Sequence, residues 1–420
     1  MNKDSSPSSS NMPTSNRFWT DTDRLDSWKE IAAYLRREVR TVQLWEKNEG
    51  LPVHRHFHNR LGSVFALRSE IERWKRQVSR FSPPNNGLEA QQEKPSSREA
   101  YLKGRYLWNQ RSERSLRKAI QCFELAIQDD PAYALAYSGL ADSLTLLSFY
   151  EIVSPAEVMP KARRAAQRAI ELNPNLAEAH ASLADVFFHF DRDWQAADRE
   201  FQRAIQCNPD YALGYHWYAN LLAACGQHEA AHKAVMHALE INPVSIITLV
   251  WAGVTSHLAR EFDEAITRYD NALELEPRFS WAHMYKAQAL EQKGSIREAL
   301  QEFDTADQLA GGNDCVKAMK AHTHAVAGDV STARAILDQF KSAPAHPCLP
   351  SYDIAATYNA LGDPRQAMVW LHRACNERNM KLFTLTQDPR FDSLRGHAEF
   401  KEMVERMGLN RYSPARVHFA

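Results

Sequence analysis

The 420-residue chain carries 51 Lys plus Arg against 52 Asp plus Glu, with 44% hydrophobic and 25% charged residues. That is an ordinary soluble composition, long enough for two or three domains or for one small domain and a solenoid. No run approaches the ~18 apolar residues of a membrane span, and the opening MNKDSSPSSS lacks the basic and apolar regions of a secretory signal, so a cytoplasmic location without a membrane partner is expected. The six cysteines (122, 207, 225, 315, 348 and 375) are scattered without a C-x-x-C pair and read as reduced packing residues. The near-zero net charge hides an asymmetry. Residues 17–80 hold 14 Lys plus Arg against 9 Asp plus Glu, a moderate basic surplus of the kind phosphate binding needs.

Residues 1–16 are rich in Ser, Pro and Asn with little apolar content, which predicts a disordered tail. Within Asp26–Glu49, apolar Trp28, Ile31, Ala32 and Leu35 fall at the spacing of a half-buried helix. Ser27 is its expected cap, with Glu30 closing the reciprocal bond to the cap's own backbone N–H. After the polar break Arg36-Arg37-Glu38, a second helix is expected from Val39, burying Val42 and Trp45 and exposing Arg40, Thr41, Gln43 and Lys47. A hairpin follows through Val53–Leu67, with turn residues Asn59 to Gly62. His54, His56 and His58 alternate along one strand face. Three imidazoles at spacing two are conceivable metal ligands, but no fourth ligand is evident and a polar strand face near phosphate is the reading adopted.

VRTVQLWEKNEGLP (Val39–Pro52), the hairpin and the helix SEIERW (Ser69–Trp74) together resemble the winged helix-turn-helix of the MerR and excisionase families. The resemblance spans about 55 residues and implies a module over 17–81 that binds double-stranded DNA. It assigns Arg40, Thr41, Gln43 and Lys47 to the helix that enters the major groove. Arg55, Asn59 and Arg60 belong to the wing that grips the backbone. Arg36 stands where a turn glycine is common in these families, and Leu44 where Arg is often found.

Residues 82–96, SPPNNGLEAQQEKPS, read as a flexible linker. Beyond them the chain repeats itself. Prolines stand at 131, 174, 209, 243 and 277, at intervals of 43, 35, 34 and 34. Twelve residues before each is alanine (119, 162, 197, 231, 265), and five before each is alanine again (126, 169, 204, 238, 272). Eight before stand Phe123, Ala166, Phe201, Val235 and Tyr269. Later units lose the proline but keep Ala299, Phe303 and Ala306; Gly328, Ala333 and Leu337; and Gly362, Ala367, Leu371 and Ala374. Small residues let paired helices approach, the bulky residue fills the space between units, and proline is expected to open the next helix.

A 34-residue unit of this kind resembles the tetratricopeptide repeat, which implies an all-α solenoid over 97–380 of about eight units with a protein or peptide partner on its concave surface. The 43-residue interval places an extra loop, Tyr150–Pro160, between the helices of the second unit. Residues 381–409 are expected to form an amphipathic cap on the open end of the solenoid, and 410–420 to fray.

One catalytic pattern is present. His228-Glu229-Ala230-Ala231-His232 matches H-E-x-x-H, which can bind zinc. Ala231 is a repeat packing position and Gly226 the turn before it, so these residues are accounted for as the start of a repeat helix. No phosphate-binding loop, dinucleotide fingerprint or nucleophile elbow occurs. No cofactor, no metal and no enzymatic activity are expected. His180, His216 and His283 recur six or seven residues after a repeat proline and could line the concave groove.

The fold expected is mainly α: a small winged helix-turn-helix domain with a β-hairpin wing, followed by the solenoid. The function expected is that of a bacterial DNA-binding transcriptional regulator with a protein-interaction solenoid. The alternative is a scaffold or adaptor whose helix-turn-helix module no longer binds DNA.

Overall fold

The computed structural model describes residues 24–35, 42, 43, 46, 51–56, 63–71, 73, 74, 94–342, 348–408 and 412. The chain divides into two compact units, Met1–Gln92 and Glu93–Ala420.

In the first unit, β1 (Arg24–Leu25) and β2 (His54–His56) flank β3 (Ser63–Leu67), giving an antiparallel sheet of order β1-β3-β2. Helix α1 (Trp28–Leu35) buries Ile31, Ala32 and Leu35, as the spacing predicts. Its cap differs by one residue: Ser27 Oγ accepts from Glu30 N, but the Glu30 carboxylate accepts from the backbone of Asp26 rather than of Ser27. One core joins Leu25, Ile31, Leu35, Val42, Val64, Ala66, Ile71 and Trp74. The expected hairpin is therefore present. Of the second helix, only Val42, Gln43 and Glu46 are described, all helical; Trp45 lies outside the described residues. The description stops short of a winged helix-turn-helix.

The second unit is a stack of antiparallel helix pairs. They are α2 (Pro95–Asn109) with α3 (Glu113–Asp129), α4 (Ala134–Phe149) with α5 (Pro155–Leu172), α6 (Ala177–Val186) with α7 (Trp194–Cys207), and α8 (Ala212–Ala224) with α9 (His228–Ile241). The stack continues through α10 (Ile246–Leu258) with α11 (Phe262–Leu275), α12 (Ser280–Gln292) with α13 (Ile296–Ala310), α14 (Asp314–Val326) with α15 (Val330–Ser342), and α16 (Ser351–Ala360) with α17 (Pro364–Asn376). Helix α2 starts at Pro95, so the last two residues read as linker are helical. After α17 come two 3-10 turns, Met380–Thr384 and Pro389–Leu394, and α18 (Ala398–Met407).

The repeat residues form the seam. Ala119, Phe123 and Ala126, and their counterparts Ala197, Phe201 and Ala204 or Ala265, Tyr269 and Ala272, are all 0% exposed. Glycine supplies the matching gap on the facing helices: an added Cβ at Gly104 or Gly139 would stand 2.6 or 2.5 Å from Phe123 Cε1. Close packing is what makes the small positions necessary.

Two expectations need correction. The repeat prolines do not open helices; each helix begins three residues later, at Ala134, Ala177, Ala212, Ile246 and Ser280. Proline instead ends the preceding helix by driving the residue before it out of the helical region; Asp130, Asn173 and Asn208 have φ near −140° and ψ near +95°. Tyr150–Pro160 is not a loop either. Only Tyr150–Ser154 connects the pair, and Pro155–Pro160 belongs to the 18-residue α5, where Pro155 at the first helical position removes no helical bond.

Candidate binding groove

The first helices of the pairs face inward. Asp142, Thr145 and Phe149 from α4, Asp185 from α6, His216 and Asn220 from α8, Trp251 from α10, and Trp281 and Tyr285 from α12 line one pocket. These helices are apolar or small all round because both faces are covered: α8 buries every residue from Gly214 to Ala224. A single π turn, Phe187–Asp191, extends α6 and carries His189 into the same lining. Such turns widen a helix locally and re-aim its side chains.

The C-terminal segment packs against side chains of this lining and does far more than cap the last pair. Phe383 packs with ring centroids 5.1 Å from Phe188 and His189 and 6.4 Å from Trp251. Thr386 Oγ1 donates to Ala224 O at 3.2 Å, His228 Nε2 lies 3.2 Å from Gln387 Oε1, and Arg260 pairs with Asp392 at 2.8 Å. Trp194 Nε1 donates to Met407 O at 2.8 Å, and Tyr412 donates to Asp198 at 2.7 Å. The segment thus runs back across the interior from the eighth pair to the third.

A buried ionic cluster anchors it. Lys381 Nζ lies 2.7 Å from Asp353 Oδ2 and 3.4 Å from Glu151 Oε2; Arg390 bonds Asp353 Oδ1 at 2.9 Å and Asp388 Oδ2 at 2.8 Å. Asn379 and Cys315 both donate to Glu151. Burial pushes the Glu151 carboxyl up, opposed by Lys381. At Asp388 burial also pushes up, but Arg390 overrides it and holds the carboxyl below its ordinary range.

The turns within pairs explain the aim of these contacts. Each needs one left-handed residue, and glycine supplies it at 226, 294, 328 and 362, but Arg111, Glu151, Arg192 and Arg260 adopt φ of 53°, 57°, 56° and 71°. A non-glycine there costs about 1 kcal/mol. Glu151 and Arg260 hold the C-terminal segment, as described above. Arg111 instead enters the pocket, its guanidinium 3.6 Å over the Trp108 ring.

The histidines expected in the groove divide. His180 Nδ1 meets Glu200 at 2.6 Å and Nε2 meets Pro174 O at 2.9 Å; His283 repeats this with Glu302 and Pro277 O at 2.5 and 3.0 Å. These two lock repeat boundaries. His216 does line the pocket, is 1% exposed, and neither ring nitrogen has a protein partner. Burial and then the charge of Arg111 push its pKa down to about 3, so it is neutral.

The H-E-x-x-H residues serve packing and surface pairing: His228 meets Gln387, and Glu229 pairs with Lys233 at 2.6 Å. Among the described residues no group of three metal-ligating side chains gathers. His54 Nε2 lies 2.6 Å from Glu70 Oε2, a bond that raises its pKa; His58 lies outside the described residues. Of the DNA-contact candidates, Gln43 is helical and exposed and the backbone of Arg55 lies in β2. Arg40, Thr41, Lys47, Asn59 and Arg60 lie outside the described residues. Neither Arg111 nor the returning C-terminal segment is singled out by the sequence. The Arg111 signal was a charged residue where half the turns have glycine.

No helix of the described residues is long and apolar enough to cross a membrane. Family models described as tetratricopeptide repeat match residues 160–212, 200–233 and 259–314. Among curated proteins the chain is similar to Superkiller protein 3 of Schizosaccharomyces pombe, 24% identical over 236 residues, or 54% of this chain and 16% of that one. It is also similar to anaphase-promoting complex subunit 3 of the same yeast, 23% identical over 150 residues, or 36% and 22%. The chain therefore spans less than a quarter of the length of either relative. Among solved structures, a chain of the APC/C hetero-tetramer Cut9-Hcn1 superposes with a TM-score of 0.52 at 15% identity, covering 80% of this chain and 59% of that one. The human IFIT1 dimer with m7Gppp-AAAA gives 0.51 at 15%, covering 83% and 84%. At these identities the likeness is one of fold. The second unit is a mainly helical solenoid of helix pairs, within which tetratricopeptide repeats are matched over residues 160–233 and 259–314.

Proposed function

We propose that this chain is a non-catalytic protein-interaction scaffold whose repeat array holds a partner on its inner face. The carrying observation is the groove itself: the first helices of five consecutive pairs turn polar and aromatic side chains inward around one pocket. Repeat arrays offer a concave surface suited to a polypeptide; here Phe383 of the C-terminal segment already packs on His189 and Trp251, and the partner is assigned to the remainder of that face, around Trp281 and Tyr285. The similarity to anaphase-promoting complex subunit 3 and to the Cut9-Hcn1 hetero-tetramer chain, components of multi-chain assemblies by their names, supports an assembly role.

Site-specific photo-crosslinking in cells that make the protein tests this. A photoreactive residue at Trp281 or Tyr285 should capture a discrete protein band that the same residue at the exposed positions Leu125 and Val369 does not. Equal capture at all four positions, or none, would remove the inner face as the partner site.

A second reading keeps the first unit as a DNA-binding module and the whole chain as a transcriptional regulator. Its support is the basic surplus of residues 17–80 and the hairpin packed with α1 on one core. In that case the full-length protein binds DNA fragments with a salt dependence that Arg40→Ala with Lys47→Ala reduces. Salt-independent retention by both proteins would discard it. The comparisons favour the scaffold reading.

A further inference from the structure

One turn of the array departs from the rest. In six pairs the two helices are joined by three residues, from 110–112 to 361–363, whereas the second pair uses five, Tyr150–Ser154. Insertions in repeat units collect on one face of an array, and this one lies against the inner face. The Tyr150 ring stacks on Trp281 of α12 with centroids 4.3 Å apart, and its hydroxyl is beside the Arg111 guanidinium. Tyr150 itself is 6% exposed, and the Trp281 beneath it is half-buried. Ile152 and Val153 pack at the edge of the core, their backbone N–H groups donating to Leu147 O at 2.9 and 3.2 Å, so the turn holds its own shape.

Glu151 fastens this turn. Its backbone is left-handed, with φ of 57°, where Gly226, Gly294, Gly328 and Gly362 serve other turns, so contacts of its side chain must offset the strain. One carboxylate oxygen accepts from Asn379 Nδ2 at 2.7 Å; the other accepts from the Cys315 thiol and lies 3.4 Å from Lys381 Nζ. The second pair is thereby tied to the seventh and to the segment that follows the eighth. The tie is one that can come apart. Among the described residues no backbone–backbone hydrogen bond crosses it. Lys381 keeps Asp353 at 2.7 Å when Glu151 leaves, so release orphans no buried cation, and the freed carboxylate regains water. Behind the turn, both ring nitrogens of His216 and Asn220 Oδ1 are sealed off without a partner, an unmet cost that entering water removes.

We propose that Tyr150–Ser154 is a lid on the inner face, latched by Glu151, which swings out to bare Trp281. The closed state covers that ring with Tyr150; the open state returns the Glu151 carboxylate to solvent and leaves the helix pairs in place. As a gate for a polypeptide partner the lid rests on the scaffold reading. As a moving turn it is tested on the protein alone, so either can fail without the other.

Labelling of the full-length chain with N-ethylmaleimide, read cysteine by cysteine in peptide mass spectra, decides it. Cys315 is 3% exposed and covered by the Glu151 carboxylate, so its thiol reports the lid; the partly exposed Cys122 on α3 is the reference. Below the unfolding transition the Cys315 rate should be nearly flat in urea, because a lid exposes little surface. Asn379→Ala removes one bond to the carboxylate and leaves the charge beside the thiol, so it should speed Cys315 about tenfold with Cys122 unchanged. A Cys315 rate that climbs with urea as steeply as global unfolding, that Asn379→Ala leaves unchanged, or that rises together with Cys122 overturns the proposal. If Asn379→Ala fails to fold by circular dichroism, Glu151→Gly is compared with Glu151→Gln. Both remove the charge, but only glycine removes the acceptor while suiting the left-handed turn, and it should label about tenfold faster than the glutamine variant. Equal rates in that pair overturn the lid as well.

Discussion

At Gly253 an added Cβ would stand 2.4 Å from Tyr269 Cε1 and 2.7 Å from Cδ1, atoms of a ring that is itself 0% exposed. Neither side can give way, because Tyr269 fills the seam between neighbouring pairs. Gly294 differs: nothing lies within 4 Å, and its demand is a φ of +80°. Gly253→Ala should therefore lose about 1–3 kcal/mol through overpacking, and Gly294→Ala about 1 kcal/mol through backbone strain alone. Urea denaturation of the two variants checks the order. A smaller loss at Gly253 than at Gly294 would mean that the seam is looser than its burial implies.

Helices were legible in the sequence wherever a residue type recurred for a packing reason. Ala119, Phe123 and Ala126 and their counterparts named one buried face, and the left-handed glycines marked the turns. The C-terminal segment was not legible beyond an amphipathic end. Its contacts join Lys381 to Glu151, Arg260 to Asp392 and Trp194 to Met407, pairs separated by 130 to 230 positions. Nothing periodic links such residues, and each is common on a protein surface. The candidate pocket is half legible: His216 recurs at a first-helix position that could line the groove, whereas no pattern in the sequence singles out Arg111. The DNA-contact residues of the first unit lie mostly outside the described residues.

The energetic weight of that segment follows from burial. Lys381 is 7% exposed and Asp353 0%, so Lys381→Met would leave the Asp353 carboxylate short of one partner in a dry site. Losing one side of a buried ion pair costs about 3–5 kcal/mol. Lys293→Met removes the pairing with Asp263, a carboxylate that is 85% exposed, and should cost no more than about 1 kcal/mol. Similar losses in the two variants, measured by urea denaturation, would show that the cluster does not anchor the segment.

At the scale of the whole array, buried histidines set a pH dependence whose sign can be worked out. His216 and His257 are buried and pushed down to about 3 and about 4, chiefly by loss of solvent. A group with a depressed pKa is held neutral in the folded state, so the unfolded chain binds protons first as pH falls below the ordinary histidine value near 6.5. Stability contributed by these two residues is complete above that value and is lost toward their folded values. His180 and His283 work in the opposite sense, because Glu200 and Glu302 raise them; their contribution is complete below 6.5 and is lost as pH rises through the raised values. The carboxyls of buried Asp142 and of the partly buried Glu151 and Glu178 are pushed up by loss of solvent and add their own dependence in acid. The difference between wild type and His216→Phe cancels all of these and isolates one imidazole. Between pH 6.5 and 5 a fully depressed histidine forfeits about 2 kcal/mol. The stability of wild type relative to His216→Phe should therefore fall by about that amount over this interval and stay flat from pH 7 to 8. A parallel pair of stability curves from pH 8 to 5 would mean that His216 takes up its proton in the folded protein, and that the pocket is wet enough to hold a second cation beside Arg111.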